Sequence, residues 1–214
     1  GVFEADVAMA DPNLTFDLVS SGSFRDKYPA VKLKLNADMV DLEKLNLHAG
    51  PMKLKGQLEA DIPTADPDYL NGNIVLHQFR MADGKQDIAI DSVTVFATAT
   101  AERNTIAIKS PILDATVDGK YKLTQIGDAI TNSVSRYYDF NPKAKKTKTQ
   151  PQLLAFNAVV KNNPVLFQLL PELKGFEPMV INGRYNSEND TIILNAAMPK
   201  IIYGANNLTN AIVK

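Results

Sequence analysis

Apolar and polar residues alternate with a period of two through most of this chain, and that pattern commits it to β-structure. Val31, Leu33, Leu35, Ala37 and Met39 alternate with Lys32, Lys34, Asn36 and Asp38. Met52, Leu54, Gly56, Leu58, Ala60 and Ile62 alternate with Lys53, Lys55, Gln57, Glu59 and Asp61. A run of that length in one phase extends roughly 35 Å, long for a strand. Further strands are expected over 1–10, 14–24, 72–81, 87–100, 105–109, 112–122, 152–161, 179–186 and 191–198, with a short run near Ile201. Within 87–100, Ile88 and Ile90 hold one phase and Val93, Val95, Ala97 and Ala99 the other. The slip at Asp91 and Ser92 implies a bulge.

Strands with one apolar face belong in an antiparallel sheet that is dry on one side only. Two segments depart from the pattern. Leu123, Ile126, Ile130, Val134 and Tyr137 are spaced by three and four, which predicts an amphipathic helix over 123–138 with Thr124 placed to cap it. Packing on the sheet is its expected fate. A shorter helix follows Pro164 over 165–170 and stops at Pro171. The fold expected is therefore mainly β: a long antiparallel, curved sheet, taco-like or an open sandwich, with one or two short amphipathic helices.

Between the helices, residues 139–151 carry four lysines within 143–148 and few apolar residues, and they read as an exposed linker. This divides the chain into a first β unit over 1–140 that ends in the helix, a linker over 141–151, and a second, truncated unit over 152–214. A weak internal repeat crosses the division. Leu33-Lys34-Leu35-Asn36-Ala37 matches Leu154-Ala155-Phe156-Asn157-Ala158, and the octapeptide from Pro51 to Leu58 matches that from Pro178 to Tyr185. Both octapeptides read Pro-Met-x-apolar-x-Gly-x-apolar. The second copy carries extra residues between its strands, and the helix after Pro164 falls there. Units repeated in this way stack and share a core. Because alternation is already running at Val2 and the chain stops just after an apolar Ala211-Ile212-Val213, it is expected to be an excerpt of a longer array.

Composition closes off several functions. Lys plus Arg number 23 and Asp plus Glu 24, so the basic footprint of a general nucleic-acid binder is missing. There is no Cys, hence no disulfide, thiolate site or Cys nucleophile. No apolar run is long enough for a membrane-spanning helix. His48 and His77 have no partner at metal-ligand spacing. Asp61, Asp66 and Asp68 lie among Pro63 and Pro67 without the spacing of a calcium loop, and read as a turn. Neither a nucleophile elbow nor a phosphate loop is present. No enzymatic activity, metal or cofactor is expected. Glu59 and Asp61 share one strand face, a carboxylate pair without a cleft, which leaves glycan hydrolysis the weakest reading.

What remains is the apolar face, which a sheet of this size must cover. It can fold on itself as a sealed sandwich, which residue types alone favour, or form an open trough whose lining meets a ligand. The lining mixes Leu, Ile, Val, Met and Ala with few aromatics, which suits acyl chains.

The chain also resembles the AsmA-like and TamB-like envelope proteins, especially those of Bacteroidetes. Leu54-Lys55-Gly56-Gln57-Leu58-Glu59-Ala60-Asp61-Ile62 and Leu70-Asn71-Gly72-Asn73-Ile74-Val75-Leu76 resemble their apolar-x-Gly-x-apolar strands. Residues 88–95 and 104–108 resemble their meanders. Asp118-Gly119-Lys120-Tyr121-Lys122-Leu123 resembles their Asp-Gly-x-Tyr-x-Leu approach to a helix. The resemblance implies a taco-shaped β-structure in the periplasm, its parent anchored in the inner membrane. It implies a role in outer-membrane biogenesis: phospholipid transfer along an apolar groove, or assistance to outer-membrane protein assembly, with an outer-membrane assembly protein as partner. It carries no catalytic residue. The groove lining expected for phospholipid acyl chains is Leu33, Leu35, Leu54, Leu58, Ile74, Leu76, Ile88, Ile90, Val93, Val95, Leu154 and Phe156. The alternative is a structural or adhesive β-sandwich module that binds protein partners through its strand edges.

Overall fold

A computed structural model describes residues 1–136 and 147–214. Eight strands follow one another: β1 (Val2–Asp11), β2 (Leu14–Ser23), β3 (Ala30–Asp41), β4 (Lys53–Asp66), β5 (Tyr69–Ala82), β6 (Asp87–Ala99), β7 (Asn104–Lys109) and β8 (Leu113–Lys120). After α1 (Leu123–Val134) come β9 (Leu153–Val160), α2 (Pro164–Leu169), β10 (Leu173–Phe176), β11 (Met179–Asn186), β12 (Thr191–Tyr203) and β13 (Asn206–Val213). All belong to one 13-stranded antiparallel sheet that does not close into a barrel. Each strand from β1 to β8 pairs with the next, then β8 pairs with β9, β9 with β11, and β11 with β12. β10 and β13 both pair with β12. The two sequence units therefore share a single sheet, joined by the β8–β9 ladder from Leu113↔Val160 to Lys120↔Leu153.

The repeat has a structural counterpart with a change of register. In the first unit Leu35 faces Leu58 and Ala37 faces Gly56. In the second, Phe156 faces Gly183 and Leu154 faces Tyr185. The equivalent strands have slid by two residues. A slide of two keeps every side chain on its face, which is why the alternation survives.

The turns follow from local chemistry. Asp83 accepts from the Lys85 and Gln86 N–H groups between β5 and β6. Thr100 accepts from Glu102 and Arg103 between β6 and β7. A separate shift lies between Asp61 and Thr64, but several ladder irregularities fall on one transverse line: β3 bulges against both neighbours between Ala37 and Val40, and β5 bulges against β4 opposite Lys55 to Gln57. Gln78 takes a left-handed φ of 50° there. The β5–β6 register is unbroken at this line, so the phase slip at Asp91 is matched by one at Gln78 and is not a bulge of β6 against β5. Bulges bend strands, so this line is a crease across the sheet.

Two strands were not expected from the sequence. β10 is four residues long, and β13 has no alternation to betray it. The N-cap of α1 is Lys122, not Thr124. Thr124 lies in the first turn, where its N–H and hydroxyl both donate to Asp68 in the β4–β5 turn. Residues 137–138 of the expected helix, and 139–146 of the expected linker, lie outside the described residues.

Candidate functional site

Cross-strand register assembles the apolar residues into lateral rows. One row runs Ala5, Ser20, Leu33, Ala60, Ile74, Val95, Ile108, Ala115, Ala158, Ile181, Ala196 and Val213, one residue from each of twelve strands. At about 4.8 Å per strand, this row is about 50 Å long. Beside it, on the crease side, run Val7, Leu18, Leu35, Leu58, Leu76 and Val93. On its other side run Gly72, Ala97, Ile106, Val117, Phe156, Gly183 and Leu194.

Ten of the twelve expected lining residues stay half-exposed: Leu33, Leu35, Leu54, Leu58, Ile74, Leu76, Ile90, Val93, Val95 and Phe156. Leu33, Ile74 and Val95 share the long row, and Leu35, Leu58, Leu76 and Val93 are successive in the next. Leu54 meets Ile88 through Met81, and Ile90 faces Phe79. The remaining two are sealed: Ile88 and Leu154 are buried. The reason lies in the helices. α1 lies on the floor formed by β8, β9 and β11, where Ala129 packs with Tyr121, Leu154 and Tyr185. α2 reaches back to β6 at the opposite end of the strands. Its Val165 is buried, as are Leu173 and Phe176 of β10.

Among the described residues no second layer lies on the apolar face between the helices. The accessible surface is 13660 Å², whereas a compact chain of this mass exposes about 9,700 Å². A sandwich would bury its facing leucines, yet the central leucines are only half-buried. The arrangement is an open apolar floor with a helix at either rim.

The opposite face mixes paired charges with exposed apolar side chains, among them Val19, Phe96, Val180 and Ile212. Lys32 contacts Asp61 at 3.0 Å and Lys34 contacts Glu59 at 3.2 Å, both directly in register. Asp118 accepts from the Arg103 guanidinium and from Thr105, which hold its carboxyl below the usual range. Lys161 does the same for Asp114. Glu59 is thus paired with Lys34, and Asp61 with Lys32, across the β3–β4 ladder.

Three features of the site were not read from the sequence. The pinning of α1 is one, since Asp68 is remote from it in the chain. Gln152 is another. It is fully buried; its side-chain oxygen accepts from the Lys122 N–H and its amide donates to the Gln150 carbonyl. Tyr185 is the third: its hydroxyl meets Ser133 of α1 at 2.9 Å.

No family model matches this chain, and no curated protein or solved structure matches it either. Among the described residues no helix is long and apolar enough to cross a membrane.

Proposed function

We propose that this sheet is a periplasmic segment of an outer-membrane biogenesis protein, and that its open floor carries phospholipid acyl chains between membranes. The observation that carries the reading is the mainly aliphatic row crossing twelve strands, its central side chains only half-buried and, among the described residues, without a covering layer over its middle. Apolar surface left uncovered costs about 25 cal/mol per Å², and large contiguous apolar patches mark binding surfaces. Acyl chains fit the floor because it presents methyl and methylene groups and few hydrogen-bonding side chains. The resemblance to AsmA-like and TamB-like proteins points the same way, and assistance to outer-membrane protein assembly is the other role it suggests. On this reading the residues that act are Leu33, Leu58, Ile74 and Val95 at the centre of the floor.

A second reading draws on the sheet edges. Val2 at one edge and Ile212 at the other are 59% and 70% exposed. Open edges of this kind recruit strands of protein partners.

Native mass spectrometry with lipid extraction separates the two. Protein purified from bacterial cells should retain phospholipid, and Leu58→Asp or Val95→Asp should remove it without unfolding a sheet whose floor already meets solvent. Lipid-free protein that also ignores fluorescent acyl probes would end the lipid reading and leave the edge reading standing.

A further inference from the structure

α1 is poorly built as a permanent part of the fold. Its buried residues are Ala129 and Ser133 alone, while Leu123 and Ile130 are about 40% exposed, at 40% and 39%. No acidic residue occupies its first turn and no basic residue its last. Gly127 stands in its interior, where glycine is the least favourable residue after proline, and a helix of twelve residues is marginal by itself. Ala129 and Ile126 rest on the apolar cluster, and polar pins hold the helix at its two ends. Asp68, from the β4–β5 turn, accepts from the Thr124 N–H at 3.0 Å and its hydroxyl at 2.8 Å. Asp190, from the β11–β12 turn, accepts from Ser133 at 2.8 Å and from Arg136.

The floor beneath it has a different character. Tyr121, Leu154 and Tyr185 are 3%, 7% and 2% exposed, and Val117 and Phe156 border them. Phe156 and Val117 belong to a row of the open floor, and Leu154 lies on the same face of β9 as Phe156. The apolar surface therefore continues under the helix without a break.

We propose that the floor beneath α1 is a latent acyl-binding surface, occupied by the helix in the empty protein and vacated when an acyl chain extends along the trough. This rests on the lipid reading above and adds a gate to it. The helix offers a small buried face and two detachable ends; an acyl chain offers methylenes to the same three side chains. A ligand that favours the lifted helix shifts the equilibrium by its difference in affinity for the two states.

The chain has no cysteine, so Ala129→Cys places a single thiol beneath the helix. Maleimide labelling of that thiol in the full chain reports lifting. Replacing Asp68 and Asp190 together by Asn should raise the labelling rate at least tenfold, with Val95→Cys on the open floor unchanged. A dansylated C11 fatty acid should raise the Ala129→Cys rate at least fivefold. Hydrogen exchange of the α1 amides in the unaltered chain should rise with the same probe, a measurement needing no substitution. If the probe binds, with Leu58→Asp abolishing its fluorescence change, yet labelling and exchange stay constant, the helix is fixed and the gate is wrong. If the probe does not bind at all, the lipid reading itself falls, and the gate with it.

Discussion

The ring of Phe156 lies against Gly183, its direct partner in register across β9 and β11. A methyl group added at Gly183 would come 2.5 Å from Phe156 Cζ and would also strike the Ile193 carbonyl oxygen. The far wing uses the same pairing, with Phe3 over Gly22. Each ring shields a strand glycine that has no side chain of its own to pack. Gly183→Ala should destabilise the sheet by about 1–3 kcal/mol through overpacking, as read by urea unfolding. A midpoint within 0.2 M of the parent would show that both the ring and the Ile193 strand give way freely.

Gly72 and Gly119 impose a stricter demand. Both hold positive φ, 142° and 150°, and both face the backbone of a neighbouring strand. An added Cβ would lie 2.7 Å from Ile62 Cα in the first case and 2.7 Å from Leu154 Cα in the second. Here every close atom is backbone and φ is positive, whereas at Gly183 one of the two clashes is with a ring that can move. Gly72→Ala and Gly119→Ala should each cost about 2–4 kcal/mol from strain and crowding together. Thermal unfolding should rank both below Gly183→Ala, and the reverse order would contradict the geometry.

Removing the charge ladder should do little. Lys34 and Glu59 are both well exposed, and exposed pairs contribute about 0.2–1 kcal/mol. A double-mutant cycle with Lys34→Ala and Glu59→Ala should return a coupling in that range, falling further in 1 M salt as screening grows. A coupling above 2 kcal/mol would mean the pair is less hydrated than it looks.

Alkaline pH should loosen the α1 end before the rest. Burial pushes the Tyr121 hydroxyl up to about 12, with the Asp118 charge adding to the shift. In the unfolded chain a tyrosine ionises near 10. Between those values the unfolded state has lost a proton that the native state keeps. Stability is therefore full below pH 10 and declines as pH rises toward 12. Tyr121→Phe should abolish that component of the decline, measured by urea midpoints at pH 9 and pH 11.5. An unchanged slope in the variant would assign the loss elsewhere.

Most of the sheet was legible because alternation is a local signal repeated many times. β11 coincides with its expected 179–186 span, and β3, β4 and β6 differ from theirs only at the ends. β13 escaped because Asn206, Asn207 and Asn210 interrupt any phase, and Asn210 itself has φ of 53°. β10 escaped because four residues beside Pro171 and Pro178 read as a connector. The helix cap escaped for another reason: Asp68 is 56 residues from Thr124, and no local rule finds a partner that only the folded sheet brings near. For the site, residue types gave the apolar lining, but which lining residues are covered depended on where the helices lie. Ile88 and Leu154 look like their open neighbours in sequence and differ only by what rests on them or beside them.

Because nearly every strand touches only its neighbours in the meander, folding is a chain of short-range events. A strand can dock as soon as the one before it is in place, with small loops to close. The exceptions are β10, which pairs with β12, and the β9–β11 and β8–β9 junctions, of which the β8–β9 connection is the longest and joins the two units. That ladder is where the refolding of the chain should wait.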